Sequence, residues 1–397
     1  MVGTPPPMRR PRLINRPKAK IHKILMVVGT RPEAIKMAPL YRRLKDCPGM
    51  DVSIGLTGQH REMVRQVFDL FAIKPAFDLD LMQPNQGLVE LTNRVLSGMT
   101  EVLKDFAPQL VLVHGDTTTT FAAALAAFYL KIPIGHVEAG LRTGDMYAPW
   151  PEEMNRTVTD AISAKLYAPT RGSAENLRRE GHAEDKILIT GNTVIDALLD
   201  VVNGPLADLA TQKDLEGRYP FLSPQKKMIL VTCHRRKSYG EGFQSICSAL
   251  EELSQREDVQ IVFPVHMNPN VRAVFSRLAD RPRVHLIEPV NYLDFVFLLS
   301  RSHIILTDSG GIQEEAPSLG KPVFVLHEVT ERPEAVAVGT VKLVGTDRDL
   351  ILSSVCRLLD DEAAYAAMSS IHNPYGDGKA CERIIASLNG ELSNDGR

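Results

Sequence analysis

The feature that most constrains this chain is a regular alternation of short apolar runs with helical patterns, repeated in two series. In the first series the apolar runs 24–28, 52–56, 110–113, 132–137, 166–168 and 187–189 are separated by helical patterns at 32–44, 61–71, 88–106, 117–130, 152–164 and 173–180. Runs this short read as buried strands, and strands that alternate with helices predict a parallel sheet covered on both faces. Residues 190–225, with Gly204, Pro205, Pro220 and Pro224, break the rhythm and read as a hinge near 192–225. A second series follows, with apolar runs at 228–232, 260–263, 284–287, 304–306 and 323–326 and helical patterns at 243–253, 269–278, 293–299 and 312–319. The length of 397 residues also favours two domains. The expected fold is therefore α/β: two doubly wound, Rossmann-like domains, 21–192 and 193–378, facing across a cleft, with a last helix at 379–390 packing back on the first domain. Ligands of such sheets sit at the carboxyl ends of the strands.

Composition narrows the partners. A net charge of −2 gives no global basic field for nucleic acid, and no apolar run has the length of a membrane span. The cysteines Cys47, Cys233, Cys247, Cys356 and Cys381 show neither C-x-x-C pairs nor zinc spacing, so no metal site is expected and they read as free thiols of a cytoplasmic protein. Residues 1–20 combine five prolines with Arg9, Arg10, Arg12, Arg16, Lys18 and Lys20 and lack an apolar core, which reads as a disordered basic extension rather than a secretory signal.

Polar residues cluster where the strands end. After 304–306 come Thr307, Asp308, Ser309, Gly310 and Gly311, then a helix. Glycines admit a close backbone approach, and a helix start offers unpaired N–H groups to an anion, most naturally phosphate. After 24–28 comes Gly-Thr-Arg-Pro-Glu: Thr30 with Glu33 fits a capping box, while Arg31 and Lys36 are cations at a helix start, where the dipole disfavours them unless an anion binds. Asp116 follows 110–113 and reads either as an N-cap or as a free acid. Glu138 follows 132–137 and has Arg142 at i, i+4 as a bland partner. Glu152 starts a helix. Together Asp116, Glu138 and Glu152 fall at one edge of the first domain, where like charges raise each other's pKa and suit acid–base work. The second domain adds His234 with Arg235 and Arg236 after its first strand, His266 after its second, and Arg332 beyond its fifth. Without a Walker A segment or a G-x-G-x-x-G after the first strand, the reading turns from phosphoryl and hydride transfer to chemistry on a sugar attached to a diphosphate.

The stretches GTRPEAIKMAPL (29–40), QHREM (59–63), HGDTTTT (114–120), GHVEAGLRTGD (135–145), PWPEEMNR (149–156), TGNTVIDAL (190–198), DSGGIQEEAPSLGKPV (308–323), TERPEA (330–335) and NPYGDG (373–378) closely resemble the non-hydrolysing UDP-N-acetylglucosamine 2-epimerases. The resemblance implies the glycosyltransferase-B-like architecture, a homodimer, and interconversion of UDP-N-acetylglucosamine (UDP-GlcNAc) and UDP-N-acetylmannosamine (UDP-ManNAc) for surface polysaccharides. It implies elimination of UDP to 2-acetamidoglucal followed by re-addition, with no metal or nicotinamide cofactor. By position it assigns Asp116, Glu138 and Glu152 as acid–base candidates and His234 as an active-site histidine. Arg31 and Lys36 line the wall, Ser309, Gly310 and Gly311 hold phosphate, Glu315 the ribose and Arg332 the phosphates again, and Phe295 lies beside uracil. Some relatives bind a second UDP-GlcNAc as activator; Gln59, His60, Arg61, Arg235 and His266 match that region. Departures from the family pattern at Cys233, Lys237, His327 and Val329 touch rate and regulation more than reaction type. The alternatives are a hydrolysing 2-epimerase that releases N-acetylmannosamine and a glycosyltransferase of the same architecture.

Overall fold

Two parallel sheets organise the chain in the computed structural model, which describes residues 23–58, 61–82, 86–235, 239–330 and 332–390. The basic extension at 1–20 lies outside them. The first sheet contains β1 (Lys23–Val28), β2 (Asp51–Leu56), β3 (Phe77–Asp78), β4 (Leu110–His114), β5 (Ile134–Val137), β6 (Lys165–Ala168) and β7 (Ile187–Ile189), in the order β3-β2-β1-β4-β5-β6-β7. Between these strands run α1 (Arg31–Lys45), α2 (Arg61–Leu70), α3 (Leu88–Phe106), α4 (Thr118–Tyr129), α5 (Glu152–Ile162) and α6 (Arg171–Arg179). Helices α7 (Thr193–Asn203) and α8 (Leu209–Arg218) lead to the second sheet. Its strands are β8 (Lys227–Thr232), β9 (Val259–Pro264), β10 (Val284–Ile287), β11 (Ile304–Thr307), β12 (Val323–Val325) and β13 (Val341–Leu343), in the order β10-β9-β8-β11-β12-β13. Helices α9 (Glu241–Leu253), α10 (Pro269–Phe275), α11 (Tyr292–Arg301), α12 (Gly310–Glu315), α13 (Pro333–Val338), α14 (Arg348–Asp360), α15 (Glu362–Ser369) and α16 (Ala380–Asn389) complete it.

Both sheets share one topology, and that places the site. β1 pairs with β2 from Lys23↔Asp51 to Val28↔Leu56 and with β4 from Ile24↔Leu110 to Met26↔Leu112. The chain leaves β1 to one side and returns at β4 on the other, so the loops after β1 and β4 diverge and open a crevice. The second sheet repeats this at β8 and β11, which pair from Ile304↔Ile229 to Thr307↔Thr232.

Local sequence fixes the first crevice. Thr30 caps α1 by accepting from the Glu33 amide, and the Glu33 carboxylate accepts from the amides of Gly29 (2.9 Å) and Thr30 (2.6 Å). The same carboxylate accepts from the hydroxyls of Thr117 (2.6 Å) and Thr120 (3.0 Å), tying the β1–α1 turn to the β4–α4 turn. Only glycine fits at position 29, because a Cβ there would lie 2.2 Å from the Thr119 hydroxyl oxygen.

The structure departs from the sequence reading at several elements. The interval 192–225, read as a hinge, is largely helical: Gly204 and Pro205 mark the end of α7 rather than a coil. Val194, Ile195, Ala197, Leu198 and Val201 of α7 are buried, and the helix packs on α1 of the first lobe and on α11 and α12 of the second, so one apolar cluster runs through both lobes. Strands β3 (Phe77–Asp78) and β13 (Val341–Leu343, interrupted by Lys342) escaped notice because neither presents an unbroken apolar run. Helices α8, α13, α14 and α15 were not read either. Among the described residues no helix is long and apolar enough to cross a membrane.

Helix α16 packs against α1 and α7 and buries Cys381, Ile384 and Leu388. Its start has no cap of its own; the Asp196 carboxylate, reaching from α7, accepts from the amides of Ala380 (3.1 Å) and Cys381 (3.0 Å). Asp196→Ala strands both buried amides and is expected to lower stability by about 1–3 kcal/mol. Urea unfolding checks this; wild-type stability in the variant would mean that the cap does not hold α16 in place.

Candidate active site

The first lobe supplies carboxylates from two adjacent strand ends. After β4, Gly115 turns the chain and Thr117, not Asp116, caps α4, its hydroxyl accepting from the Thr120 amide at 3.1 Å. Asp116 is thereby released from capping. Its carbonyl accepts from Asn155 Nδ2 (2.9 Å), and its Oδ2 lies 3.7 Å from the Arg156 guanidinium. Burial pushes the Asp116 carboxyl above the usual range; Arg156 opposes that shift, while Glu138 and then Glu152 reinforce it.

Glu138 follows β5 with φ +67°, a left-handed conformation that a residue with a Cβ keeps only where its surroundings force it. Those surroundings are specific. His136, at 0% exposure, spans from the Gly115 carbonyl (2.7 Å) to Asp160 (2.6 Å). The Glu138 carboxylate accepts from Lys36 Nζ and from Asn192 Nδ2 (2.8 Å), with His114 Nε2 3.6 Å away. Burial alone would raise its pKa, but Lys36, His114 and Arg332 together hold it well below the usual carboxylate range.

The expectation that the clustered acids raise one another holds for Asp116, which Glu138 and Glu152 help to push up, and fails for Glu138, which its cations hold down. The bland pairing of Glu138 with Arg142 also fails, because the chain after β5 turns at 138–140 instead of continuing as a helix and Arg142 binds Asp160 (2.7 Å) and Glu180 (2.6 Å). Glu152 opens α5, half-buried, where its charge acts on Asp116.

The second lobe supplies the opposite wall. Asp308, after β11, accepts from the amides of His234 and Arg235, both at 2.6 Å, and lies 3.1 Å from His234 Nδ1. That hydrogen bond raises the His234 pKa. His266 stacks on His234, with ring centroids 5.4 Å apart. Ser309 precedes α12, which begins at Gly310, earlier than the sequence suggested, and continues past Glu315 as a 3-10 turn, Ala316–Leu319, containing Pro317. Glu315 therefore ends α12. Its carboxylate accepts from the Tyr292 hydroxyl (2.7 Å), and burial pushes its pKa up to about 7.

Between the walls lies a cavity of about 400 Å³ lined by residues of both lobes, among them Arg31, Lys36, His234, His266, Phe295 and Ser309. The Arg31 guanidinium crosses it to the Val290 carbonyl at 3.2 Å. Arg332 packs beside the phosphate turn: a Cβ on Gly310 would lie 3.6 Å from its guanidinium carbon. Of the residues singled out in the sequence, Arg31, Lys36, His234, Phe295, Ser309, Gly311 and Glu315 line this cavity. Glu138 adjoins it through Lys36, Arg332 packs against Gly310, and Asp116, with Glu152 acting on it, interacts electrostatically with Glu138 rather than lining the cavity. Of the activator candidates, His266 lines the cavity and Arg235 adjoins it, Gln59 and His60 lie outside the described residues, and Arg61 is described only as the start of α2. Lys237 lies outside as well.

Sequence reasoning missed His114, Asn192, Tyr292 and Glu314. Glu314 Oε1 accepts from Arg332 Nε (2.6 Å) while its Oε2 lies 3.3 Å from Lys36 Nζ. Only its place beside Glu315 in the phosphate-turn motif marked it in the sequence.

A family profile for UDP-N-acetylglucosamine 2-epimerase matches residues 42–389. The UDP-N-acetylglucosamine 2-epimerase of Escherichia coli K12 is 56% identical over 368 residues, covering 92% of this chain and 98% of the relative. The chain belongs to the UDP-N-acetylglucosamine 2-epimerase family. The crystal structure of the UDP-GlcNAc 2-epimerase of Neisseria meningitidis, bound to UDP-GlcNAc, matches this member of the family with a TM-score of 0.87 at 52% identity, over 92% of this chain and 99% of that one. A glycosyltransferase from Rickettsia africae ESF-5, 16% identical with a TM-score of 0.60 over 94% of this chain and 100% of that one, shares the two-lobed, glycosyltransferase-B-like fold and the fold alone.

Lys36→Met leaves Glu138 and Glu314 buried without their shared cation, at an expected cost of about 3–5 kcal/mol at pH 7. The cost shrinks at low pH. In the wild type the depressed Glu138 contributes stability that is complete above its unfolded value of 4.5 and lost as pH falls through the folded value. In the variant the Glu138 carboxylate, deprived of Lys36, is relieved by taking up a proton. Denaturant unfolding at pH 7 and pH 4 checks this: the gap between the two proteins narrows at pH 4, and a gap that widens there contradicts the pairing.

Proposed function

We propose that this protein interconverts UDP-GlcNAc and UDP-ManNAc by inverting C2 of the sugar while the nucleotide stays bound in the interlobe cleft. One observation carries the reading: Arg332, beside Gly310 on the phosphate turn, also acts electrostatically on both Asp116 and Glu138. A diphosphate held at residues 309–311 and Arg332 would therefore present its sugar to those two carboxylates. The uracil would lie by Phe295, the ribose by Glu315, and Arg31 and His234 would add positive charge around the diphosphate.

The C2 hydrogen of a neutral sugar is weakly acidic, so direct removal to a free carbanion is prohibitive. In the proposed route a carboxylate takes the C2 proton, the C2–H electrons form the C1=C2 bond of 2-acetamidoglucal, and the C1–O bond breaks to release UDP. The β-phosphate oxygen then re-adds to C1 while C2 receives a proton on the opposite face. This needs one ionised and one protonated group. The opposite shifts of Glu138 and Asp116 supply such a pair, a pattern that often marks acid–base partners. Glu152 tunes Asp116 from the start of α5. The same reading includes a homodimer in the cytoplasm and a second UDP-GlcNAc acting as activator near Arg235 and His266.

In deuterated water the enzyme is expected to convert UDP-GlcNAc to UDP-ManNAc carrying deuterium at C2, seen by NMR and mass spectrometry. Asp116→Asn and Glu138→Gln are each expected to lower kcat by about 10²–10⁴-fold while still binding UDP. Free N-acetylmannosamine as the product would favour the hydrolysing alternative, and a C2 hydrogen that never exchanges would end the epimerase reading.

A further inference from the structure

Glu314 gathers groups from separate parts of the chain. Its Oε1 accepts from Arg332 Nε (2.6 Å), and its Oε2 accepts from Asn192 Nδ2 (3.2 Å) and faces Lys36 Nζ (3.3 Å). Its backbone carbonyl accepts from Asn373 Nδ2 at 2.7 Å. The side chain is 1% exposed and does not line the cavity, so it acts only through its neighbours. Two of those neighbours are shared: Lys36 Nζ and Asn192 Nδ2 also serve Glu138. The two carboxylates, one from each lobe, thus compete for the same donors.

A buried negative charge beside a phosphate turn works against binding an anion, because like charges in a poorly solvated site repel strongly. A cleft shaped for affinity alone would lack it. Its benefit lies elsewhere. Without Glu314, Lys36 would be given over to Glu138, and Arg332 would lose the acceptor that fixes its Nε beside Gly310. We propose that Glu314 is a positioning residue for the epimerisation, aiming Arg332 at the phosphate turn and drawing Lys36 partly away from Glu138 so that Glu138 stays basic enough to take a proton, at the expense of nucleotide affinity. The charged and polar groups around Glu138 are Lys36 on α1, His114 on β4, Asn192 before α7, Asp116 and Arg332 from the flanking turns, and, through Lys36 and Asn192, Glu314 on α12. Of these only Glu314 both shares the Glu138 donors and reaches the phosphate side. The inference rests on the epimerase reading above.

Glu314→Gln keeps the shape and removes the charge. UDP is expected to bind about 5–10-fold tighter by calorimetry, while kcat falls about 10–100-fold and KM falls with it, a change of one to two pKa units in effective basicity. A residue that merely supports the fold would instead weaken UDP and stability together. Weaker or unchanged UDP binding, or a wild-type kcat, in a folded Gln variant overturns the proposal. If that variant does not fold, Glu314→Asp decides: it keeps the charge but withdraws the carboxylate, so UDP affinity stays within about twofold while kcat drops about tenfold, and an unchanged kcat overturns the idea. The UDP titration does not depend on turnover. A wild-type protein that binds UDP but never exchanges the C2 hydrogen therefore counts against the functional reading, whereas unaltered affinity in the Gln variant counts against this one.

Discussion

A buried cluster of opposite charges shared between the lobes is the interaction on which the rest of the site depends. Lys36 joins Glu138 of its own lobe to Glu314 of the other, and Arg332 closes the second side. Each of these ions is costly to bury alone and tolerable only with its partners in place. The cluster therefore forms only when the lobes are apposed as here, with α7 packed between them. The cations that hold Glu138 negative come from both lobes, Lys36 and His114 from its own and Arg332 from the other.

The fold explains why those groups meet. Both sheets place their strand-order reversal at the carboxyl end of a central strand, β1 in one and β8 in the other, and the loops that open there face each other. Turns after β1, β4 and β5 bring Arg31, Asp116 and Glu138; turns after β8 and β11 bring His234 and Ser309. Small features make the turns exact enough for chemistry: Glu33 ties two of them together, His136 anchors the strand end just before the left-handed Glu138, and Asp308 draws the 234–235 backbone to the phosphate side.

Much of this was legible in the sequence because central strands of a covered parallel sheet are apolar throughout and end abruptly in polar residues. Runs such as 24–28 and 110–113 are unmistakable, and the groups that follow them carry the site. Two edge strands were not: β3 has only two residues and β13 is interrupted by Lys342, so neither stood out as an apolar run, whereas the edge strands β7 and β10 did. Helix α7 was hidden because Gly204 and Pro205 just after it, with Pro220 and Pro224 further on, read as a hinge, although its apolar positions follow a helical spacing. Residues whose role comes from tertiary pairing were invisible. Glu314 looks like one more helix acid until Lys36 and Arg332 are seen beside it, Asn192 looks like an ordinary N-cap, and the opposite shifts of Asp116 and Glu138 depend on neighbours distant in sequence.

The most direct test of the account is a crystal structure of the protein with UDP bound. The account places the pyrophosphate within hydrogen-bonding distance of the amides at 309–311 and of Arg332, the uracil beside Phe295, and the space next to the β-phosphate open towards Asp116 and Glu138. A pyrophosphate seated elsewhere, or a β-phosphate turned away from those two carboxylates, would contradict it.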